Sequence, residues 1–289
     1  MWSLALLHPI DAISWWRWSL HPSTVIGIAS LGAIYLWLAY RARRDPTVGQ
    51  KMFFFAGLLV MFSSLNGPIH DLSDYYLFSA HMVQHLLLTL LMPPLLLAGI
   101  PGWMLRPVTS HRFVAPVARF LTRPAICFTI FNLIIAGWHL PPLYNAAMAD
   151  HNIHILEHVM MMTGALLMWW PLMSPLPELP RLSYPGQMLY CFLMVIPMSV
   201  VAIYIALADS ILYPAYASAP RIWGISPMLD QHIGGLIMWI PGGLFFYGIM
   251  SVVFFKWVKR GEDSAEAAQI GWIPPPGDRG GEFEASRAV

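Results

Sequence analysis

The chain has 289 residues, of which 57% are hydrophobic and 11% are charged, and its formal net charge is +1 at pH 7. A soluble globular domain carries about a quarter charged residues, so this composition excludes an ordinary soluble domain and indicates an integral membrane protein. The near-neutral charge does not suggest a nucleic-acid partner. The two cysteines, Cys127 and Cys191, lie in apolar runs and form no CxxC motif, so no disulfide framework or thiolate metal site is predicted.

Seven segments approach the roughly 20 apolar residues that a membrane-spanning helix needs: residues 23–40, 52–70, 81–105, 124–140, 152–174, 185–208 and 231–257. Residues 1–22 are rich in tryptophan, which is typical of the membrane interface, and they show no pattern of a removable signal peptide. Residues 259–289 are polar and rich in proline and glycine, so we expect a disordered tail. The predicted fold is all-α, with one seven-span transmembrane domain over residues 23–258.

Basic residues lie almost entirely in alternate loops. They follow the first, third, fifth and seventh segments: Arg41, Arg43, Arg44, Lys51; Arg106, Arg112, Arg119, Arg123; Arg181; and Lys256, Lys259, Arg260. The intervening loops hold only Arg221. The positive-inside rule therefore predicts an N-terminus outside and a C-terminus in the cytoplasm.

Helix-breaking residues interrupt three of the segments at Pro93-Pro94, Pro197 and Pro241-Gly242-Gly243. Such residues kink a membrane helix or open its backbone locally. Two interpretations stay open at this point. The breakers are either packing irregularities, or they mark a cavity or a gate.

Histidine is distributed unevenly across the predicted topology. Of the eleven histidines, only His111 falls in a cytoplasmic loop. The others lie at or near the outer ends of segments: His8, His21, His70, His81, His85, His139, His151, His154, His158 and His232. Polar residues in spans usually face the bundle interior and mark function, so this one-sided set is the main functional feature of the sequence.

The spacing within these groups predicts shared helix faces. His81 and His85 are four residues apart at the start of the third span, and residues four apart lie on one helix face. His151, His154 and His158 form one stripe at the start of the fifth span. His70 ends the second span beside Asp71 and Asp74, His139 ends the fourth, and Asp230 and His232 open the seventh.

Imidazole suits copper, zinc, iron and nickel, and thioether sulfur shifts the preference towards Cu(I). We therefore predict a metal site, with ligands drawn from His81, His85, His139, His154, His158, His70, His232 and Met82, and with Glu157 and Asp230 as ligands or orienting groups. A lone histidine at a span end more often bonds to water or backbone, which is the expectation for His8 and His21. Methionines more often pack than bind metal.

Other activities fit parts of the pattern. His154-Ile155-Leu156-Glu157-His158 matches the H-x-x-E-H signature of a zinc peptidase, but the next carboxylate downstream, Glu178, falls in a cytoplasmic loop. Histidines from two spans also ligate haem b, so a haem or quinol redox protein is an alternative. A third is copper transport across the membrane, although only the two cysteines and some methionines continue the ligand set inward.

Three sequence blocks resemble a known family. HMVQHLLLTLLMPPLLLAGIP, then WHLPPLYNAAMADHNIHILEHVMMMTGALLMWWPL, then DQHIGGLIMWIPGGL together resemble the CtaG family of cytochrome c oxidase assembly proteins, the membrane type associated with caa(3)-type oxidases. The resemblance covers about residues 50–255.

The resemblance implies a multi-pass protein of the bacterial plasma membrane. It implies a non-enzymatic chaperone role in which copper is supplied to cytochrome c oxidase subunits or their assembly intermediates. The matched blocks contain His81 and His85, then His139, His154, Glu157 and His158, and finally Asp230.

Overall fold

The computed structural model describes residues 18–269, with side chains to residue 262, and every regular element in that range is helical. The helices are α1 (Pro22–Ala42), α2 (Val48–Leu65), α3 (Pro68–Tyr75), α4 (Phe78–Leu86), α5 (Met92–Gly99), α6 (Gly102–Thr109), α7 (Val114–Leu121), α8 (Pro124–His139), α9 (Pro141–Ala149), α10 (His151–Met173), α11 (Tyr184–Ala206), α12 (Pro214–Ala217) and α13 (Pro227–Gln269). A π-helical turn, Leu87–Leu91, joins α4 to α5.

The predicted all-helical membrane bundle is confirmed. Six stretches are long and apolar enough to cross a membrane: α1, α2, α4 through α5, α10, α11 and α13. The pair α7 and α8 makes a seventh if the two helices, bent by 74° at their junction, form one broken span. Large apolar side chains such as Ile26, Leu59 and Leu133 are more than 60% exposed, as expected for surfaces that face lipid.

The second and the last span end at other residues than predicted. The second span ends at Leu65, and His70 lies instead on the short helix α3 that follows Gly67. Gly67 has a φ of +74°, a conformation that glycine adopts at no steric cost, so the chain turns there. At the C-terminal end, α13 continues to Gln269, past the predicted start of the tail at residue 259. His8 and most of the predicted interfacial segment lie outside the described residues.

The break between α4 and α5 follows from Pro93. In a regular helix the N–H of residue 93 would donate to the carbonyl of Thr89, but proline has no N–H. The Trp169 indole N–H donates to that carbonyl instead, at 2.9 Å, and Met92 bonds back to Leu87 across the wider π turn. Short π segments often occur at functional sites, and this one starts two residues after His85.

The helices that carry the predicted site pack around one core. The α11–α13 pair makes the most extensive helix contact, α4 packs on α13, and α10 packs on α8, α9 and α5. Phe78, Tyr144 and Trp169 are almost completely buried in this core. The bundle therefore brings the N-terminal ends of α4, α10 and α13 close to one another.

Gly235 sets how closely α13 approaches α11. A Cβ at this position would lie 2.6 Å from the backbone nitrogen of Ala206, whereas a Cβ at Gly248 on the same helix would meet nothing within 4 Å. Backbone cannot move aside as a flexible side chain can, so only glycine fits at the α11 contact.

We expect Gly235→Ala to destabilise the purified protein by about 1–3 kcal/mol, as for overpacked cores. Gly248→Ala is the matched control, and it should leave the stability unchanged or raise it slightly because alanine favours helix. Thermal unfolding of both variants in detergent measures the difference. Equal midpoints for the two variants would contradict this packing.

Candidate metal centre

The N-terminal turns of α4 and α10 start at fixed points because each has a cap. On α10, the Asp150 carboxylate accepts hydrogen bonds from the backbone of Asn152 and Ile153, at 2.7 and 3.2 Å, as an ordinary N-cap does. The helix that starts there places His154 and His158 on its buried face, and His151 is exposed. The predicted stripe is therefore only partly buried.

On α4 the cap comes from another helix. The Asp230 carboxylate of α13 accepts a hydrogen bond from the Phe78 N–H at 2.7 Å, and it also accepts from the N–H and hydroxyl of Ser79. The first backbone N–H groups of a helix have no partner within the helix, and here a buried carboxylate supplies it. Asp230 therefore holds the start of the helix that carries His81 and His85.

The rings of His81 and His85 meet those of α10 in the bundle interior. The His81 ring centroid lies 4.2 Å from that of His85, 5.7 Å from His154 and 5.9 Å from His158. The Glu157 carboxyl lies between the helices, with its Oε1 3.8 Å from His85 Nε2. All five residues are buried.

Three overlapping groups of side chains have ligand atoms within 4.8 Å of one another: Asp74, His81 and His154; His81, His85 and Glu157; and His154, Glu157 and His158. We refer to these six residues as the histidine–carboxylate cluster. Atoms at such separations could surround one or two metal ions after small side-chain adjustments, since metal–ligand bonds with nitrogen and oxygen are about 2.0–2.2 Å long.

Many ligand atoms of the cluster have no hydrogen-bond partner. These buried atoms are both ring nitrogens of His81 and of His85, both oxygens of Glu157, and Nε2 of His154 and His158; the neighbouring His139 Nε2, outside the cluster, is unpartnered as well. An unsatisfied buried polar group costs about 1–3 kcal/mol, and native structures contain few of them. A neutral imidazole keeps a lone pair on one of its nitrogens, and a bound cation would give these lone pairs and the carboxylate oxygens a partner, so the donor set fits a metal ion.

Two of the rings are oriented by backbone carbonyls. His139 Nδ1 lies 2.7 Å from the Ile135 oxygen, and His158 Nδ1 lies 3.1 Å from the His154 oxygen. A carbonyl only accepts, so Nδ1 carries the proton in each neutral ring and Nε2 keeps its lone pair. Metal-binding histidines are commonly oriented in this way.

Asp74 connects the cluster to a more peripheral histidine. Its Oδ2 lies 3.7 Å from His154 Nδ1 and 3.4 Å from His70 Nε2. Burial by itself would raise the pKa of the Asp74 carboxyl, but the neighbouring imidazoles, chiefly those of His70 and His154, together with the hydrogen bond from Ser73 hold the pKa below its ordinary value. The side chain is therefore an anion within the cluster, and the negative charge favours a cation there.

Tyrosines cover the cluster on the side of α9 and α12. The Tyr144 ring centroid lies 5.3 Å from that of His81, and its hydroxyl lies 2.9 Å from that of Tyr216, which donates to the Ser73 carbonyl. Burial raises the pKa of both hydroxyls well above the ordinary value, so both stay neutral. They exclude water from the cluster without adding charge.

The other predicted residues lie apart from the cluster. His232 Nε2 is 3.1 Å from the Ala208 carbonyl, and its ring is not in the ligand groups found among the described residues. His70 is connected to the cluster by its contact with Asp74, and it also contacts Gln84. The ring centroid of His139 lies 5.6 Å from that of His85. Met82 and His139 line a small cavity that His85 also lines.

Sequence reasoning did not identify Gln84 and Tyr144 as parts of the site. Gln84 is completely buried, and its amide donates to the Ser64 carbonyl at 2.7 Å and contacts His70 Nδ1 at 3.3 Å. The sequence contained a hint, because Gln84 lies three residues after His81 and therefore near its helix face. The sequence around Tyr144 has no comparable pattern, because the aromatic rings that Tyr144 contacts belong to distant segments of the chain.

These observations define the class: a multi-span helical membrane protein with a buried group of histidines and carboxylates that could bind a metal. Residues 33–260 match the family model for the cytochrome c oxidase caa3 assembly factor, Caa3_CtaG. The match covers most of the chain, so the protein belongs to this family, and the resemblance seen in the sequence is confirmed.

Two curated relatives are uncharacterized proteins of Mycobacterium bovis and Mycobacterium tuberculosis. Each is 24% identical to this chain over 202 residues, which is 64% of this chain and 30% of the relative. The chain thus spans about a third of the length of these relatives. No solved structure matches it.

If Asp230 acts as a cap, its loss should weaken the fold even without metal. We expect Asp230→Ala to lower the stability of metal-free protein by about 0.5–2 kcal/mol, the usual cost of losing an N-cap. The control is Asp209→Ala, an exposed position where surface substitutions change stability by about 0.5 kcal/mol or less. Denaturation of chelator-treated protein tests this, and an unchanged midpoint for Asp230→Ala would contradict the cap.

Proposed function

We propose that this protein is a membrane chaperone that holds copper as cargo in the histidine–carboxylate cluster and delivers it to cytochrome c oxidase subunits during assembly. The observation that carries the proposal is the set of buried, unpartnered ring nitrogens and carboxylate oxygens shared by α4 and α10. Imidazole-rich sites suit copper, and the family is defined by assembly of a caa3 oxidase.

Placement of the cluster supports delivery on one side of the membrane. Helix α6 and the loop after α10 meet at the opposite end of the bundle, where Arg106 pairs with Glu178 at 2.6 Å. By the positive-inside rule, that basic end is cytoplasmic in a bacterial plasma membrane. The cluster then lies towards the outer face, with the N-terminus outside and the C-terminus inside.

Packing around the cluster favours an ion over a haem. Five of the six pairs among the rings of His81, His85, His154 and His158 have centroids 4.2–5.9 Å apart. A porphyrin between axial histidines needs a flat space much wider than a single ion requires. Rings packed against one another in this way leave room for a metal ion only.

The proposed role also needs no covalent chemistry. The H-x-x-E-H residues His154, Glu157 and His158 do come together, but Glu178, the downstream carboxylate considered for a peptidase, is an exposed partner of Arg106. Glu157 lies among the histidines, where a carboxylate orients or neutralises a bound cation. We therefore assign it a binding role.

Removing two rings of the cluster should remove a copper ion. We expect His81→Ala/His158→Ala to retain one copper per chain fewer than the wild type after loading and desalting, because the substitutions remove a ligand from each of the three groups that form the cluster. The control is His111→Ala/His232→Ala, which also removes two histidines but none from the cluster. Copper per chain, measured by mass spectrometry, should match the wild type in the control. Equal copper in both double variants would overturn the proposed site.

The same variants test delivery in cells. A strain that relies on His81→Ala/His158→Ala should contain oxidase that is deficient in copper but has normal haem, since the proposal assigns only copper to this protein. The control variant should support copper-replete oxidase. Elemental analysis and the absorption spectrum of purified oxidase measure both cofactors, and a loss of haem with normal copper would contradict the proposal.

A further inference from the structure

A small cavity lies next to the cluster, further along α4. Its volume is about 20 Å³, enough for about one water-sized sphere. Three thioethers from different helices line it: Met82 of α4, Met198 of α11 and Met238 of α13. His85 and His139 line the same space, so His85 belongs to both the cavity and the cluster.

The two histidines offer lone pairs to this cavity. Both His85 ring nitrogens and His139 Nε2 are buried without a hydrogen-bond partner, and both residues are buried. In His139 the Ile135 carbonyl accepts from Nδ1, which leaves Nε2 as the free ligand atom. The cavity therefore combines unpartnered imidazole nitrogen with soft sulfur.

The helix breakers of the sequence converge on the same place. The π turn forced by Pro93 starts just after His85, Pro197 directly precedes Met198, and Gly242 follows Pro241. A Cβ at Gly242 would lie 2.9 Å from the Met198 methyl group, so glycine there leaves space for the thioether. These features favour a formed cavity over accidental packing irregularities.

We propose that this cavity is a second metal site, selective for Cu⁺, with Met82, Met198 and Met238 as sulfur ligands and His85 and His139 as nitrogen ligands. Thioethers select Cu(I), whereas the cluster offers only nitrogen and oxygen. His85 lies about 6 Å along the helix from His81, at 1.5 Å per residue. The shared ring lets one ion exchange between the two sites. The inference rests on the proposed copper-handling function.

X-ray absorption of protein loaded with Cu⁺ under anaerobic, reducing conditions tests the site directly. We expect the wild type to show sulfur as well as nitrogen in the first coordination shell of copper. Met198→Leu/Met238→Leu should bind one Cu⁺ fewer per chain and lose the sulfur shell, since leucine keeps the volume but has no donor atom. His81→Ala/His158→Ala should keep the sulfur shell.

The matched control is Met161→Leu/Met168→Leu, two methionines buried in the same core that do not line the cavity. It should bind like the wild type. A wild-type copper shell without sulfur, or an unchanged stoichiometry in Met198→Leu/Met238→Leu, would overturn this second site and leave the cluster intact. Wild-type protein that binds no copper at all would overturn the proposed function as well.

Discussion

The arrangement of this protein depends on a set of imidazole nitrogens and carboxylate oxygens that are buried between α4 and α10 without hydrogen-bond partners. Groups of this kind are costly in a low-dielectric interior, and they persist only where the surrounding structure is stable enough to hold them. The same low dielectric strengthens their attraction for a cation. Stability is thus reduced at the place where ligand binding is strengthened, as is common at functional sites.

Support for the cluster comes from interactions between helices. Asp230 reaches from α13 to cap α4, and the Trp169 indole of α10 satisfies the carbonyl that Pro93 leaves free in the α4–α5 segment. The Tyr213 hydroxyl donates to the His139 carbonyl at 2.8 Å. Each contact fixes the start or the end of a helix near the site. The positions of the candidate ligand side chains are therefore determined by helix ends that neighbouring helices hold in place.

The chemistry of the available ligands changes along the axis of the bundle. Asp74 and the peripheral His70 come first, then the buried imidazoles with Glu157, and then the three thioethers around His85 and His139. Hard oxygen gives way to borderline nitrogen and then to soft sulfur, which is the order expected to favour Cu(I) at the deeper position. All of these residues lie within the range matched by the family model.

The sequence determined the features that depend on a single helix. Apolar length identified the spans, and the 3.6-residue period placed His81 with His85 and His154 with His158. The tertiary structure decided which helices are neighbours: that α4 faces α10, that Asp230 is a cap, and that Met198 and Met238 share a cavity with Met82. The period of a helix is set by its own backbone hydrogen bonds, whereas adjacency is set by side-chain packing across the whole bundle, which span order does not encode.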